Sequence, residues 1–421
     1  MLARLAAALL TLGMLGVAGG CRRADVADLT ISGSAVGVEA ELLQRQLARY
    51  MERHPSVVVR LRPTPDAADQ RHLLYVQWLN ARAADPDILQ LDVIWTAEFA
   101  AAGWIAPMDE ASGNAGLFFP AALEAQRWRG SLFAWPWFMD VGMLYRRTDL
   151  MPRAPRDMDE LTRMAREAQA SGATPFGLVW QGARYEGLVT VFVEYLAAFG
   201  GRILDADGRV TVDSAAAIQA LAAMRDAVRS GLVPAAALGW QEEQTRFAFQ
   251  NGQAAFMRNW PYARPLLADA GRSAVATAFA VGAMPAGAGG TSAATLGGSA
   301  LAINRFSDRH ADALDLVQFL LAPEQMIERA RVTGQFPPRR DLYAGDALRD
   351  ALHADPSEIA HILAAAVSRP STPVYSELSD ILQVALHRAL TGLEPPDSAL
   401  RGAARDMRAL LDRVRLAGPD A

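Results

Sequence analysis

Apolar and polar positions along the chain fall into two alternating rhythms. Residues 29–33 read as a short strand, and 39–52 follow with Leu42, Leu43, Leu47 and Met51 at the spacing of one helix face. The β-branched run 57–61 predicts a second strand and 71–84 a second helix. Residues 88–95, with Leu89, Leu91, Val93 and Ile94, predict a third strand ahead of another helical stretch. The same style returns later: 176–180 as strand, then 186–199 as helix, closed by Gly200 and Gly201 at its C-terminal cap. Strands alternating with helices predict an α/β protein with a largely parallel sheet covered on both faces, and the recurrence makes two such lobes. Residues 202–212 read as a hairpin around Asp205-Ala206-Asp207-Gly208, and 282–295 as a flexible connection rich in Gly, Ala and Ser. From Asp308 on the pattern is mostly helical, broken at Phe336-Pro337-Pro338 and Arg369-Pro370.

Length and composition narrow this picture. A chain of 421 residues holds two or three domains of ordinary size. Its net charge of -5 offers no field for a nucleic-acid backbone. All 41 basic residues are Arg, which excludes a Lys Schiff base, a P-loop Lys and the S-x-x-K nucleophile pair. The one cysteine, Cys21, excludes an internal disulfide, and six scattered histidines give no zinc spacing. The Asp205 loop lacks the Gly and Glu positions of an EF-hand, and Gly297-Gly298-Ser299-Ala300-Leu301 lacks the closing Gly of a nucleophile elbow.

The N-terminus reads as an address. Arg4 precedes an apolar run, 5–17, that is shorter than the roughly 20 residues a bilayer span needs. It ends in Ala18-Gly19-Gly20-Cys21, small residues that suit a signal peptidase. Two outcomes fit: removal of residues 1–20 with lipidation of Cys21, or ordinary secretion with a stray thiol. Both put the mature chain outside the cytoplasm, with a lipid as its only expected membrane attachment.

Aromatics and carboxylates gather where elements meet: Asp92 and Trp95 with Glu98; Trp135, Trp137, Phe138 and Asp140; Trp180 with Tyr185 and Glu186; and Trp260-Pro261-Tyr262. A flat apolar face beside an acceptor-only carboxylate is what a polyhydroxylated ring needs, since its C–H face packs on the aromatic and its hydroxyls donate to the acid. Core packing is the ordinary reading for any single aromatic. Trp260-Pro261-Tyr262 and Phe138-Met139-Asp140 stand out, because a proline breaks one element and an acid interrupts the other. Paired carboxylates for glycoside hydrolysis fit the composition only weakly, because their separation is set by the fold and the chain has many acids.

Three of these stretches resemble a known family: 91–99 (LDVIWTAEF), 135–146 (WPWFMDVGMLYR) and 255–263 (AFMRNWPYA). They are similar to the periplasmic sugar-binding proteins of ABC importers, extracellular solute-binding protein family 1, and most to its trehalose/maltose-binding group. The likeness spans 29–393 and includes Leu296-Gly297-Gly298, Gln335-Phe336-Pro337-Pro338-Arg339 and Arg369-Pro370-Ser371-Thr372-Pro373. It implies a two-lobed α/β fold of the Venus-flytrap type, each lobe an α/β sandwich of discontinuous segments. The N-terminal lobe would be 24–138 plus 298–343, and the C-terminal lobe 141–295 plus 346–418. A disaccharide or oligosaccharide would be gripped between them. Matched positions make Glu39, Asp92, Asp140 and Arg369 polar ligands of sugar hydroxyls, with Arg71 a further contact. Trp260 and Tyr262 would be stacking platforms, Trp95 and Phe138 would line the site, and Gly297 and Gly298 would let backbone approach the ring. Ser299 stands where relatives often carry Trp, and Phe138 where Tyr is common, so the particular sugar is not inherited.

The resemblance further implies no catalytic residue, no metal and no cofactor. It implies a monomer in the periplasm or at the outer face of the cell envelope, anchored through Cys21. Its partners would be permease subunits with a cytoplasmic ATPase. Two alternatives share the composition: an extracytoplasmic glycoside hydrolase, and a sugar-sensing protein that serves a chemoreceptor.

Overall fold

The computed structural model describes residues 27–34, 37–65, 67–108, 114–287, 290–352 and 354–416. The leader 1–20, Cys21 and the outermost lobe positions 24–26 and 417–418 lie outside the described residues. The strands are β1 (Ala27–Ser34), β2 (Val57–Thr64), β3 (Ile88–Asp92), β4 (Arg127–Trp128), β5 (Ser131–Leu132), β6 (Ala134–Val141), β7 (Met143–Arg147), β8 (Phe176–Val179), β9 (Ala254–Asn259), β10 (Phe279–Gly282) and β11 (Leu296–Ile303). They build a five-stranded sheet in the order β2-β1-β3-β11-β6, a four-stranded sheet in the order β10-β7-β9-β8, and the ribbon β4-β5.

Both large sheets are mixed, which corrects the largely parallel expectation. β1 runs parallel to β2 and β3, whereas β11 runs antiparallel to β3 and β6. In the second sheet only β8 and β9 are parallel; β7 opposes both β9 and β10. The cause is the crossing of the chain. β3 ends at the junction of the two lobes, while β11 arrives from the other lobe, starts at that junction and so must run the opposite way. β6 leaves the first sheet there and continues through Gly142 into β7 of the second. Each lobe is thus assembled from separated stretches of sequence, and the molecule has the expected two-lobed α/β architecture.

The amphipathic patterns become helices Gly37–Arg53, Ala68–Asn80 and Glu186–Ala198. Ala68–Asn80 begins three residues before the predicted start at Arg71, so Arg71 sits within the helix and not after a loop. It stops early because Arg82 takes a left-handed φ of 52°. Gly200, at φ 79°, ends Glu186–Ala198 as a C-terminal glycine should. Residues 202–212 form a turn with only one bridge, Leu204 to Val210, in place of a hairpin. Asp205 Oδ1 accepts from the backbone N–H of Asp207 and Arg209 at 2.9 and 2.8 Å, and this local pairing competes with a ladder. Helix Glu186–Ala198 is buried on every side, as an all-round apolar helix must be. Its two acids, Glu186 and Glu194, are the exceptions, and each needs a buried cation.

Candidate functional site

Strand ends bring the polar residues together. β11 pairs Ser299 with Asp92 and Gly297 with Asp140, so both carboxylates lie at the junction end of the first sheet. That is where ligands of open α/β sheets lodge. Asp92 also ends its own strand: its Oδ1 accepts from the Ile94 N–H at 3.2 Å and its carbonyl from the Trp95 N–H at 3.1 Å. Trp95 therefore falls on a tight turn beyond β3 instead of inside a strand. Gly298 has φ +119°, and a Cβ there would collide with the Phe138 carbonyl. A Cβ on Gly297 would stand 3.2 Å from Trp260 Cζ3, so the missing side chain is what allows the indole to lie against β11.

The charges at the junction are coupled. Glu39, in the first turn of its helix, accepts from Gln335 Nε2 at 3.0 Å. Asp140 keeps some exposed surface, but its Oδ1 is sealed without a hydrogen bond. Burial first, and then the neighbouring Glu39 charge, push its carboxyl up to about 8, with Arg329 opposing. Arg329 is fully buried on helix Pro323–Thr333, donating to Gln335 Oε1 at 2.9 Å, while its Nε and Nη2 have no hydrogen-bond partner. Burial holds its pKa down to about 10 against the pull of Glu39 and Asp140. An acceptor and two donors are thus left unsatisfied in one electrostatically linked group, the arrangement a polyhydroxylated ligand can complete.

The aromatics divide. Trp260 is partly exposed, with its Nε1 3.3 Å from Glu242 Oε1, and Tyr262 is partly exposed and donates to Glu243 Oε1 at 2.7 Å. Trp95 and Phe138, also expected to line the site, are buried. Trp95 is 2% exposed, stacked on Phe99 and edge-on to Tyr75, so it has no free face. Phe138, at 4%, packs on Trp137 beneath Arg329. Both rings fill the first lobe's core, the ordinary fate of a strand or turn aromatic.

The two candidate arginines are also engaged within the protein. Arg71 lies over the Trp95 ring at 5.4 Å and donates to the Pro65 carbonyl at 3.3 Å. Arg369 donates to Glu186 Oε1 at 2.6 Å and lies 3.4 Å from Asp92 Oδ1, tying the first sheet to the buried helix of the second lobe. Burial works against its charge, yet Asp92 and Glu186 outweigh burial and hold its pKa above the ordinary value. Glu186 is further served by Tyr375 and Ser379, so Glu186 is held in a buried network while Trp180 and Tyr185 pack beside it as buried rings. A second tie links the lobes: His72 Nε2 is 2.8 Å from Glu98 Oε1, and Ser376 donates to Glu98 Oε2 at 2.7 Å.

Sequence reasoning missed Arg329, Glu194 and Arg258. Nothing local marks Arg329 among so many arginines. Glu194 and Arg258 carried a readable signal, a lone charge inside each of two apolar runs, which burial permits only with a partner. Among the described residues no group of three or more His, Cys, Asp or Glu could hold a metal ion, and no helix is long and apolar enough to cross a membrane. A hollow of about 280 Å³ between Val193, Ile203, Leu204 and Val367 touches none of the residues named as ligands.

Two lobes, crossing strands and a polar, aromatic junction are the architecture of the two-lobed solute-binding proteins. The chain belongs to the bacterial extracellular solute-binding proteins, whose family pattern matches residues 36–327. A probable ABC transporter-binding protein of Deinococcus radiodurans is 36% identical over 358 residues, covering 82% of this chain and 84% of the relative. The maltose-bound MalE3 of T. maritima is 38% identical and superposes with a TM-score of 0.86 over 91% of this chain and 100% of that one. The GacH receptor of Streptomyces glaucescens, solved unliganded and with acarbose, is 23% identical with a TM-score of 0.82 over 92% of this chain and 98% of that one, which speaks for the fold alone. The resemblance to the binding proteins of ABC importers therefore stands. These relatives are solute-binding proteins, not enzymes, and the hydrolase reading falls with that.

Proposed function

We propose that the protein captures a disaccharide or short oligosaccharide of the maltose or trehalose kind and hands it to the permease of an ABC importer. The observation that carries this is the junction of Trp260, a partly exposed ring, with Asp140 and Arg329, whose buried polar atoms lack partners. The 38% identity to a maltose-bound protein over most of both chains supports the same solute class. In this reading Trp260 and Tyr262 stack on the sugar, Glu39, Asp92, Asp140 and Arg329 bind its hydroxyls, and Gly297 and Gly298 let it approach the backbone. Arg369 joins the lobes in place of gripping the ligand directly. The lobes are 24–138 plus 298–343 and 141–295 plus 346–418, and the mature chain is a monomer anchored through a lipid on Cys21.

Micromolar affinity requires about 8.2 kcal/mol. Charge-assisted hydrogen bonds of about 1.5–3 kcal/mol each, with ring stacking, supply it after the cost of closing the lobes. Closure follows only because the ligand touches both lobes, since a solute with equal affinity for open and closed forms shifts nothing. A thermal-shift panel of maltose, trehalose, sucrose and galactosides, followed by calorimetry on each hit, tests the assignment. At least one α-glucoside is expected to raise the melting temperature and be recovered intact. No shift with any sugar in the panel overturns it.

A further inference from the structure

We propose that the buried pair Glu194–Arg258 is a positioning device that sets the plane of the Trp260 ring and fixes it to the point where the chain crosses between lobes. The proposal rests on the reading of Trp260 as a sugar platform. Arg258 is completely buried in β9, two residues before Trp260, and its guanidinium lies 4.0 Å from the centre of the indole ring. One ring face is thereby covered by a flat cation, a favourable contact where both are desolvated. Trp260 itself stays partly exposed, and the side away from Arg258 is the one assigned to the ligand.

The guanidinium is held in place by three hydrogen bonds, one from each nitrogen. Its Nε donates to Glu194 Oε2 at 2.8 Å, its Nη2 donates to Glu194 Oε1, and its Nη1 donates to Gln181 Oε1 at 3.0 Å. Gln181 in turn donates to the Arg258 carbonyl at 3.1 Å. Such a bidentate fork fixes the plane of the group as well as its place, which an ammonium cannot do. Glu194 Oε1 also lies 3.3 Å from the Thr295 N–H, and the Thr295 carbonyl accepts from the Gly142 N–H at 3.3 Å. Gly142 joins β6 to β7, and Thr295 immediately precedes β11. A Cβ on Gly142 would run into the Glu194 carboxylate and the Arg258 guanidinium, so the glycine makes room for the pair at the crossing. The platform is therefore referenced to two of the connections that run between the lobes.

The test uses the secreted protein carrying 5-fluorotryptophan, with the Trp260 resonance assigned by Trp260→Leu. Arg258→Lys keeps a cation for Glu194 but removes the planar fork. It is expected to shift or broaden the Trp260 resonance in the ligand-free protein while the other tryptophans hold their positions. Its affinity for maltose, or for whichever panel sugar the wild type binds, is expected to fall at least fivefold. In the Trp260→Leu background the same change is expected to alter affinity less than twofold, because the residue acts through the ring. If Arg258→Lys fails to fold, the pair Glu194→Gln with Arg258→Gln, which leaves no buried charge unpaired, is read the same way. An unmoved Trp260 resonance, or an equal loss of affinity in both backgrounds, overturns the proposal while leaving the sugar reading intact. If the wild type binds no sugar, that reading fails, and the ligand-free resonance alone decides the role of the pair.

Discussion

Trp95 in the first lobe and Trp260 in the second both follow a strand and stand near a carboxylate, yet they meet opposite fates. Trp95 turns inward: the Asp92 turn swings it onto Phe99 and Tyr75, and Arg71 closes over it. Trp260 stays at the surface of the junction because Pro261 ends the strand, Glu242 holds its indole N–H, and Arg258 blocks the route inward. In the first lobe the cation lies over a ring that is already core, while in the second it backs a ring that stays partly exposed. An aromatic beside an acid thus becomes a platform only where the neighbouring side chains deny it a place in the core.

Substitutions that treat the two rings alike break or sharpen the comparison. The largest effect belongs to Trp95→Ala, which is expected to destabilise the fold by about 3–5 kcal/mol. Urea melts check this, and a change within ~0.5 kcal/mol would show that the ring is not a core residue. Trp260→Ala is expected to act the other way round, weakening sugar binding at least tenfold, or about 1.4 kcal/mol, with little change in the melt. Calorimetry giving wild-type affinity would remove Trp260 from the site.

The smallest effect is a pH dependence. Asp140 titrates at about 8 in the folded protein and near the ordinary carboxylate value when unfolded. Between those values the folded state binds more protons, so the contribution of Asp140 to stability falls as pH rises through that window. The step from pH 7 to pH 8 should weaken the wild type relative to Asp140→Asn by about 1 kcal/mol. Parallel stability curves for the two proteins would mean that the carboxyl is not buried beside Glu39.

Much of the frame was legible because it follows from local rules. The helical spacing of Leu42, Leu43 and Leu47, the β-branched run in β2 and the glycine at 200 each gave its element directly. Asp140 was marked because it interrupts an apolar strand, Trp260 by the proline after it, Asp92 by its place where elements meet, and the glycines at 297 and 298 by the family resemblance; pairing across β11 brings Asp92, Asp140 and the glycines together. Arg329 was not legible, since its place over Trp137, at 3.8 Å, depends on helix Pro323–Thr333 packing beside a strand almost 200 residues earlier. Direction of the sheets was misread for a related reason: alternation of elements says nothing about a strand that arrives from another lobe.

The sequence by itself determined the α/β character, the two-lobed plan through its family motifs, and the chemistry on offer, in which every side-chain cation but histidine is an Arg. Only the tertiary structure decided which residues remain available. It spent Arg369 on Asp92 and Glu186, hid Trp95 and Phe138, paired Glu194 with Arg258, and left polar atoms of Asp140 and Arg329 without partners. The physical reason is that burial and pairing are properties of contacts between distant segments. A side chain's chemistry is fixed by its own residue, but whether that chemistry is consumed internally depends on what the fold places against it.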